Sequence, residues 1–162
     1  MKKTIILFLL WAFCPSIHAA DVILSTGIST ANLGQFLGEA GNRSGSYSLR
    51  LAGKSMGLRI DKSVHGDDAG NTYITGDLLA RPLPYLVLGG GMMYATQPLR
   101  GRGQQVNFHG MIGLEHDKLF GRYGGGAWFD HFSNGHFHRL TGWDGVPNPP
   151  RNALSIGVII PF

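Results

Sequence analysis

Downstream of residue 20, apolar and polar side chains alternate with a period of two, broken at intervals by Gly, Asn, Asp and Pro. No ordinary amphipathic helix and no apolar run long enough for a spanning helix interrupts the rhythm. The alternation predicts strands over residues 22–30, 46–53, 56–62, 71–80, 85–95, 104–116, 120–133 and 152–162. Connections at 31–45, 63–70, 96–103 and 134–151 are long, whereas those at 53–55, 81–84 and 117–119 are short. About eight strands joined by tight turns at one end and longer loops at the other are the pattern of the smallest outer-membrane barrels. The expected fold is all-β: an eight-stranded antiparallel transmembrane β-barrel of the bacterial outer membrane, forming one domain over residues 20–162.

Facing follows from the same period. Over 46–53, Tyr47, Leu49 and Leu51 alternate with Ser46, Ser48 and Arg50; over 71–80, Ile74, Leu78 and Ala80 alternate with Thr75 and Asp77. In a bilayer the apolar set faces lipid and the polar set fills the lumen, while a soluble barrel reverses the two. The C-terminus favours lipid: Leu154, Ile156, Val158, Ile160 and Phe162 share one face and finish on an aromatic carboxyl-terminal residue, as in the recognition signal of outer-membrane barrels. Glycine runs at 89–91 and 124–126 lack the lysine and following helix of a phosphate loop. They read as strand glycines where backbones approach closely. Trp128 and Trp143 suit either an interfacial belt or lumen filling.

The first residues add a location. Lys2 and Lys3, an apolar run from Ile5 to Phe13 and a small-residue exit at Ala19 and Ala20 form a secretory signal peptide over residues 1–19, too short in its apolar part to span a bilayer. Phe13 stands where a lipoprotein signal before Cys14 needs a small residue, so the mature chain is expected to carry no cysteine and to rely on burial or lipid insertion. Loss of Lys2 and Lys3 takes the formal charge from +4 to +2. Neither that balance nor export suits nucleic-acid binding. Arg100, Arg102, Arg139 and Arg151 are candidates for phosphates at a membrane surface, or are solvated loop arginines.

The candidate chemistry lies near the C-terminus, in His131-Phe132-Ser133-Asn134-Gly135. Residues two apart on a strand share a face, so His131 and Ser133 can meet as base and nucleophile. With the amino terminus on the periplasmic side, Ser133 falls at the outer end of the seventh strand and Asn152 at the outer start of the eighth, both on the lipid-facing parity. Arg122 and Asp130 take the opposite, luminal parity. Hydrocarbon cannot satisfy a histidine, a serine and an amide, so such a group on that face is costly unless used. The substrate at that depth of a Gram-negative envelope is lipopolysaccharide.

HFSNG, the Asn148 and Asn152 of a segment reading NPPRN, and the terminal strand together resemble the PagL lipid A 3-O-deacylases. The specific motif covers about the last fifth of the chain; signal, length and strand rhythm fit throughout. The resemblance implies an outer-membrane carboxylic ester hydrolase that removes the 3-O-linked acyl chain of lipid A. Ser133 would be the nucleophile and His131 its general base. Backbone N–H groups around Asn134, Gly135 and His136 would form the oxyanion hole, with Asn148 positioning that loop. The sequence departs from the family at the third member, where a glutamate, counted back from the C-terminus, falls on Asn152. Asn152 can orient the histidine without supplying charge; Asp144 in the last loop is the alternative.

No metal or organic cofactor is implied, and the spacing of His131, His136 and His138 matches no zinc motif. The expected partners are lipid A and the outer membrane, with a homodimer left open. The competing reading is a non-enzymatic small barrel of OmpA/OmpX type with structural or adhesive loops. A related barrel that lost activity through Asn152 is a third.

Overall fold

The computed structural model describes residues 21–30, 43–66, 69–97, 105–133 and 151–162. Among them are eight strands: β1 Asp21–Thr30, β2 Arg43–Ala52, β3 Met56–His65, β4 Thr72–Leu83, β5 Leu86–Ala95, β6 Val106–Phe120, β7 Tyr123–Ser133 and β8 Arg151–Ile160. Each pairs antiparallel with the next, and β8 pairs with β1 from Val22↔Ile160 to Thr30↔Asn152, so the sheet closes. Closure removes the two edges whose unpaired N–H and C=O groups an open sheet would leave exposed. The predicted eight-stranded antiparallel barrel is therefore the fold observed. The proposed signal segment lies outside the described residues.

One end of the barrel carries the tight turns, around Lys54, Pro84 and Gly121, together with Asp21 and Phe162. The other carries the long connections and is called the loop end below. Several boundaries differ from the sequence reading, among them the start of β2, at Arg43 instead of residue 46. β3 runs on to His65 and β4 to Leu83, and the last tight turn is Gly121-Arg122 rather than 117–119. Asp117 and Lys118 looked like turn residues, but Phe120 pairs with Tyr123 across a two-residue connection, and Gly121 has φ 71°, which a glycine adopts without penalty. Arg122 consequently sits exposed in that turn, its guanidinium over the Tyr123 ring at 4.8 Å, and not in the lumen as its parity suggested.

The inside is layered. Along β4 the inward side chains are Tyr73, Thr75, Asp77 and Leu79; along β7 they are Trp128, Asp130 and Phe132. Ile23, Leu79, Val87, Met111, Trp128 and Ile159 form an apolar layer toward the turns, and Tyr73, Met93, Ala95 and Phe132 a second toward the loop end. Between them lies a polar belt that includes Arg50, Arg59, Asp61, Asp77, His109 and Asp130, all buried. Trp128 thus fills the lumen, donating from Nε1 to Glu115 at 2.9 Å, with Arg50 stacked on its ring at 5.1 Å. The glycine runs make room for close approaches: a Cβ on Gly91 would meet the Gly76 carbonyl oxygen at 1.9 Å, and one on Gly126 the Trp128 ring at 2.5 Å.

The outside is apolar. Leu24, Leu49, Ile60, Leu78, Ile112 and Ile156 point away from the lumen, with Leu78 68% and Ile156 62% exposed. Charged side chains inside and large aliphatic ones outside are the reverse of a water-soluble barrel and the arrangement hydrocarbon requires.

Candidate active site

On β7 the outward side chains are Ala127, Phe129, His131 and Ser133, and the inward ones Trp128, Asp130 and Phe132. His131 lies directly opposite Asn152 of β8, and its Nδ1 stands 2.9 Å from Asn152 Oδ1. An amide oxygen only accepts, so Nδ1 donates. That tautomer leaves Nε2 with its lone pair exposed for a proton. Ser133 follows two residues on, on the same face, half-buried and opposite Phe108 of β6.

Asn152 has the outward parity expected of it, yet it is only 6% exposed. It sits in register between His131 and the buried Thr30 of β1. The bond to His131 satisfies the amide oxygen, which would be expensive to leave unpaired against hydrocarbon. Strand pairing explains how residues 21 apart in sequence come to touch: β7 and β8 flank the last long connection, and their register sets His131 against Asn152.

The surroundings on the outer face are apolar and carry a furrow. From Asn152 the cross-strand row continues through His131, Gly110 and Gly90 to Leu78. A Cβ on Gly110 would meet nothing within 4 Å, and one on Gly90 only the His109 carbonyl oxygen at 3.9 Å. Two glycines side by side therefore leave a bare floor beside His131. Its walls are the neighbouring rows: Phe108 and Met92 on the Ser133 side, and Phe129, Ile112 and Leu88 on the turn side. A second apolar depression, between Leu24, Tyr47, Leu114, Ala127 and Ile156, lies closer to the turns and touches none of His131, Ser133 and Asn152.

Of the remaining expected site residues, Arg151 opens β8 opposite Phe132. Asn134, Gly135, His136, Asp144 and Asn148, the arginines at 100, 102 and 139, and His138 and Trp143 lie outside the described residues. Sequence reasoning passed over the polar belt behind the site. Asp130 Oδ1 accepts from Arg59 Nη1 at 2.9 Å and stands 2.8 Å from His109 Nε2, while His109 Nδ1 is bonded to Asp77 Oδ1 at 2.5 Å. The signal was available, since Asn107, His109, Met111 and Glu115 share the luminal parity of β6. A histidine at that parity among carboxylates on neighbouring strands points to a buried pair.

What this arrangement can do chemically is limited and specific. It offers a histidine whose Nδ1 is engaged, a serine on the same face and an apolar trough alongside, residue types that nucleophilic acyl transfer uses. No protein-family model matches the chain, and no curated protein matches it in sequence. Among solved structures it is similar to the crystal structure of the outer membrane enzyme PagL, with a TM-score of 0.57 and 16% identity, covering 88% of this chain and 100% of that one. At that identity the likeness establishes a shared fold: the chain is an eight-stranded barrel built like that outer-membrane enzyme.

Proposed function

We propose that the protein is an outer-membrane serine esterase that removes the 3-O-linked acyl chain from lipid A, working from the outer leaflet. The observation that carries this reading is the His131–Asn152 hydrogen bond on an apolar exterior, with Ser133 on the same face and a glycine-floored furrow beside it. A purely structural barrel gains nothing from a polar triplet there. The fold likeness to an outer-membrane enzyme supports the same reading.

In this reaction Ser133 Oγ attacks the ester carbonyl carbon while His131 Nε2 takes the hydroxyl proton. The tetrahedral intermediate collapses, the sugar 3-oxygen leaves with the proton from His131, and the acyl group stays on Ser133. Water then attacks the acyl-enzyme with His131 again as base, releasing the fatty acid and restoring the serine. Asn152 keeps the imidazole in the productive tautomer throughout. The furrow along Gly110 and Gly90 gives the hydrocarbon chain a trough in which to lie. Backbone N–H groups of the segment after Ser133, around Asn134 to His136, serve as oxyanion donors in this scheme, and Asn148 positions that segment.

The test is mass spectrometry of lipid A from cells with and without the protein, alongside Ser133→Ala. Loss of one 3-hydroxyacyl group with the intact protein, absent with the variant, is the expected result. Unchanged lipid A in both would favour a non-enzymatic barrel.

A further inference from the structure

Among the described residues, the side chain that bonds His131 on the outer face comes from β8. Asn152 holds it from β8, but its partner on β6 is Gly110, which has no side chain to pack against the imidazole. From inside the barrel, the backbone that bears His131 and Ser133 is held through their chain neighbours Asp130 and Phe132, whose side chains are buried in the lumen.

Both of those neighbours are gripped by the same two residues. Arg59 of β3 donates from Nη1 to Asp130 at 2.9 Å and lays its guanidinium over the Phe132 ring at 5.6 Å. His109 of β6 stands 2.8 Å from Asp130 Oδ1 and stacks on Phe132 with ring centroids 4.7 Å apart and planes inclined by 20°. The grip is itself anchored on further strands. His109 Nδ1 is bonded to Asp77 of β4, and Arg59 Nε lies 3.0 Å from Asp61 Oδ2 in β3, whose other oxygen accepts from Ser48 of β2. A buried ion-pair network of this kind admits few alternative geometries, because any displacement strands a charge.

We infer that Arg59 and His109, acting through Asp130 and Phe132, are positioning residues that hold the two rungs of β7 flanking and separating His131 and Ser133. On a strand the direction of a side chain follows the backbone that bears it, so a small rotation of these rungs swings the imidazole off Asn152 and the serine off the imidazole. The inference rests on the roles proposed above for His131 and Ser133.

The experiment uses the full chain folded in detergent micelles, with two readouts. The first is steady-state hydrolysis of lipid A. The second, independent of any reaction, is the nitrogen NMR signal of His131 Nδ1, which reports its hydrogen bond to Asn152. Phe132→Leu keeps an apolar side chain in the lumen but removes the ring on which both Arg59 and His109 stack. Its kcat is expected to fall by about 10²-fold, the cost of a small misplacement, with KM little changed and the His131 signal shifted. Ile23→Ala, an equally buried change in the apolar layer near the turns, should leave kcat and the His131 signal as they are. Arg59→Lys retains the charge but not the flat guanidinium, so it should move both readouts in the same direction as Phe132→Leu and covers the case in which that variant does not fold. A Phe132→Leu or Arg59→Lys barrel whose His131 signal and kcat match those of Ile23→Ala would overturn the inference. If the unmodified chain hydrolyses nothing, the esterase reading fails by itself, and the NMR comparison still decides whether the lumen aims His131.

Discussion

Asp130 and His131 are adjacent on β7 and point to opposite sides of the barrel wall. Asp130 is held by Arg59 and His109 in a belt that runs on through Asp77, Asp61 and Ser48. His131 shares one bond with Asn152, on a face otherwise made of Phe129, Ile112 and Leu154. In the lumen Arg59, His109 and Asp130 are each paired more than once, and losing one of them strands a charge. On the outer face His131 bonds Asn152 through Nδ1, and Nε2 stands outside that bond. A buried ion-pair belt and the proposed reactive pair thus lie one residue apart on the same strand.

The largest effect that can break this contrast is on the outer side. Ser133→Ala and His131→Ala should each lower deacylation on the order of 10⁴-fold or more, and the double variant should be no worse, because a nucleophile and its base act as a unit. Neither should disturb folding, read as the gel shift between boiled and unboiled samples. Full activity in Ser133→Ala would show that the motif has been misread.

The luminal counterpart is a loss of stability. Asp130→Ala leaves Arg59 and His109 without their shared acceptor and should cost about 3–5 kcal/mol, measured by urea unfolding in micelles. A variant as stable as the parent would mean that the belt relaxes around the gap. Substitution of His131 should cost far less by the same measurement, since its neighbourhood opens outward.

Asn152 sharpens the comparison further, because its side-chain oxygen is what Nδ1 of His131 bonds. Asn152→Ala should lose at least about tenfold in turnover by freeing the imidazole, whereas Asn152→Glu should keep or raise it by giving the developing imidazolium a charge partner. Asp144→Ala should matter little. A dead Asp144→Ala beside an active Asn152→Ala would reverse the assignment. The smallest effect belongs to the furrow. Gly110→Leu has open space for its side chain, so the barrel should fold normally while activity on long-chain substrates drops severalfold and activity on short esters persists.

Strand count, closure and facing were legible because each strand is half-exposed to a different medium, and period-two alternation records that division directly. Tyr47, Leu49 and Arg50 took the sides their parity assigned. Boundaries were less legible: the β6–β7 turn depended on Gly121, three residues beyond the polar pair that imitated a turn. At the site, the shared face of His131 and Ser133 follows from spacing alone, whereas Asn152 was assigned through the family resemblance, counted back from the C-terminus, with its strand parity in agreement.

What the sequence determined by itself is local: which residues alternate, where the chain can turn, and that a histidine and a serine lie on one side of one strand. Only tertiary structure decided the rest. Register across β7 and β8 set His131 against Asn152, and pairing through β6 and β5 lined up Gly110 and Gly90 into a furrow. Closure of the sheet brought Arg59 across the lumen to Asp130, 71 positions later in the chain. Such contacts depend on how strands meet around a ring, and no local pattern of side chains encodes that meeting.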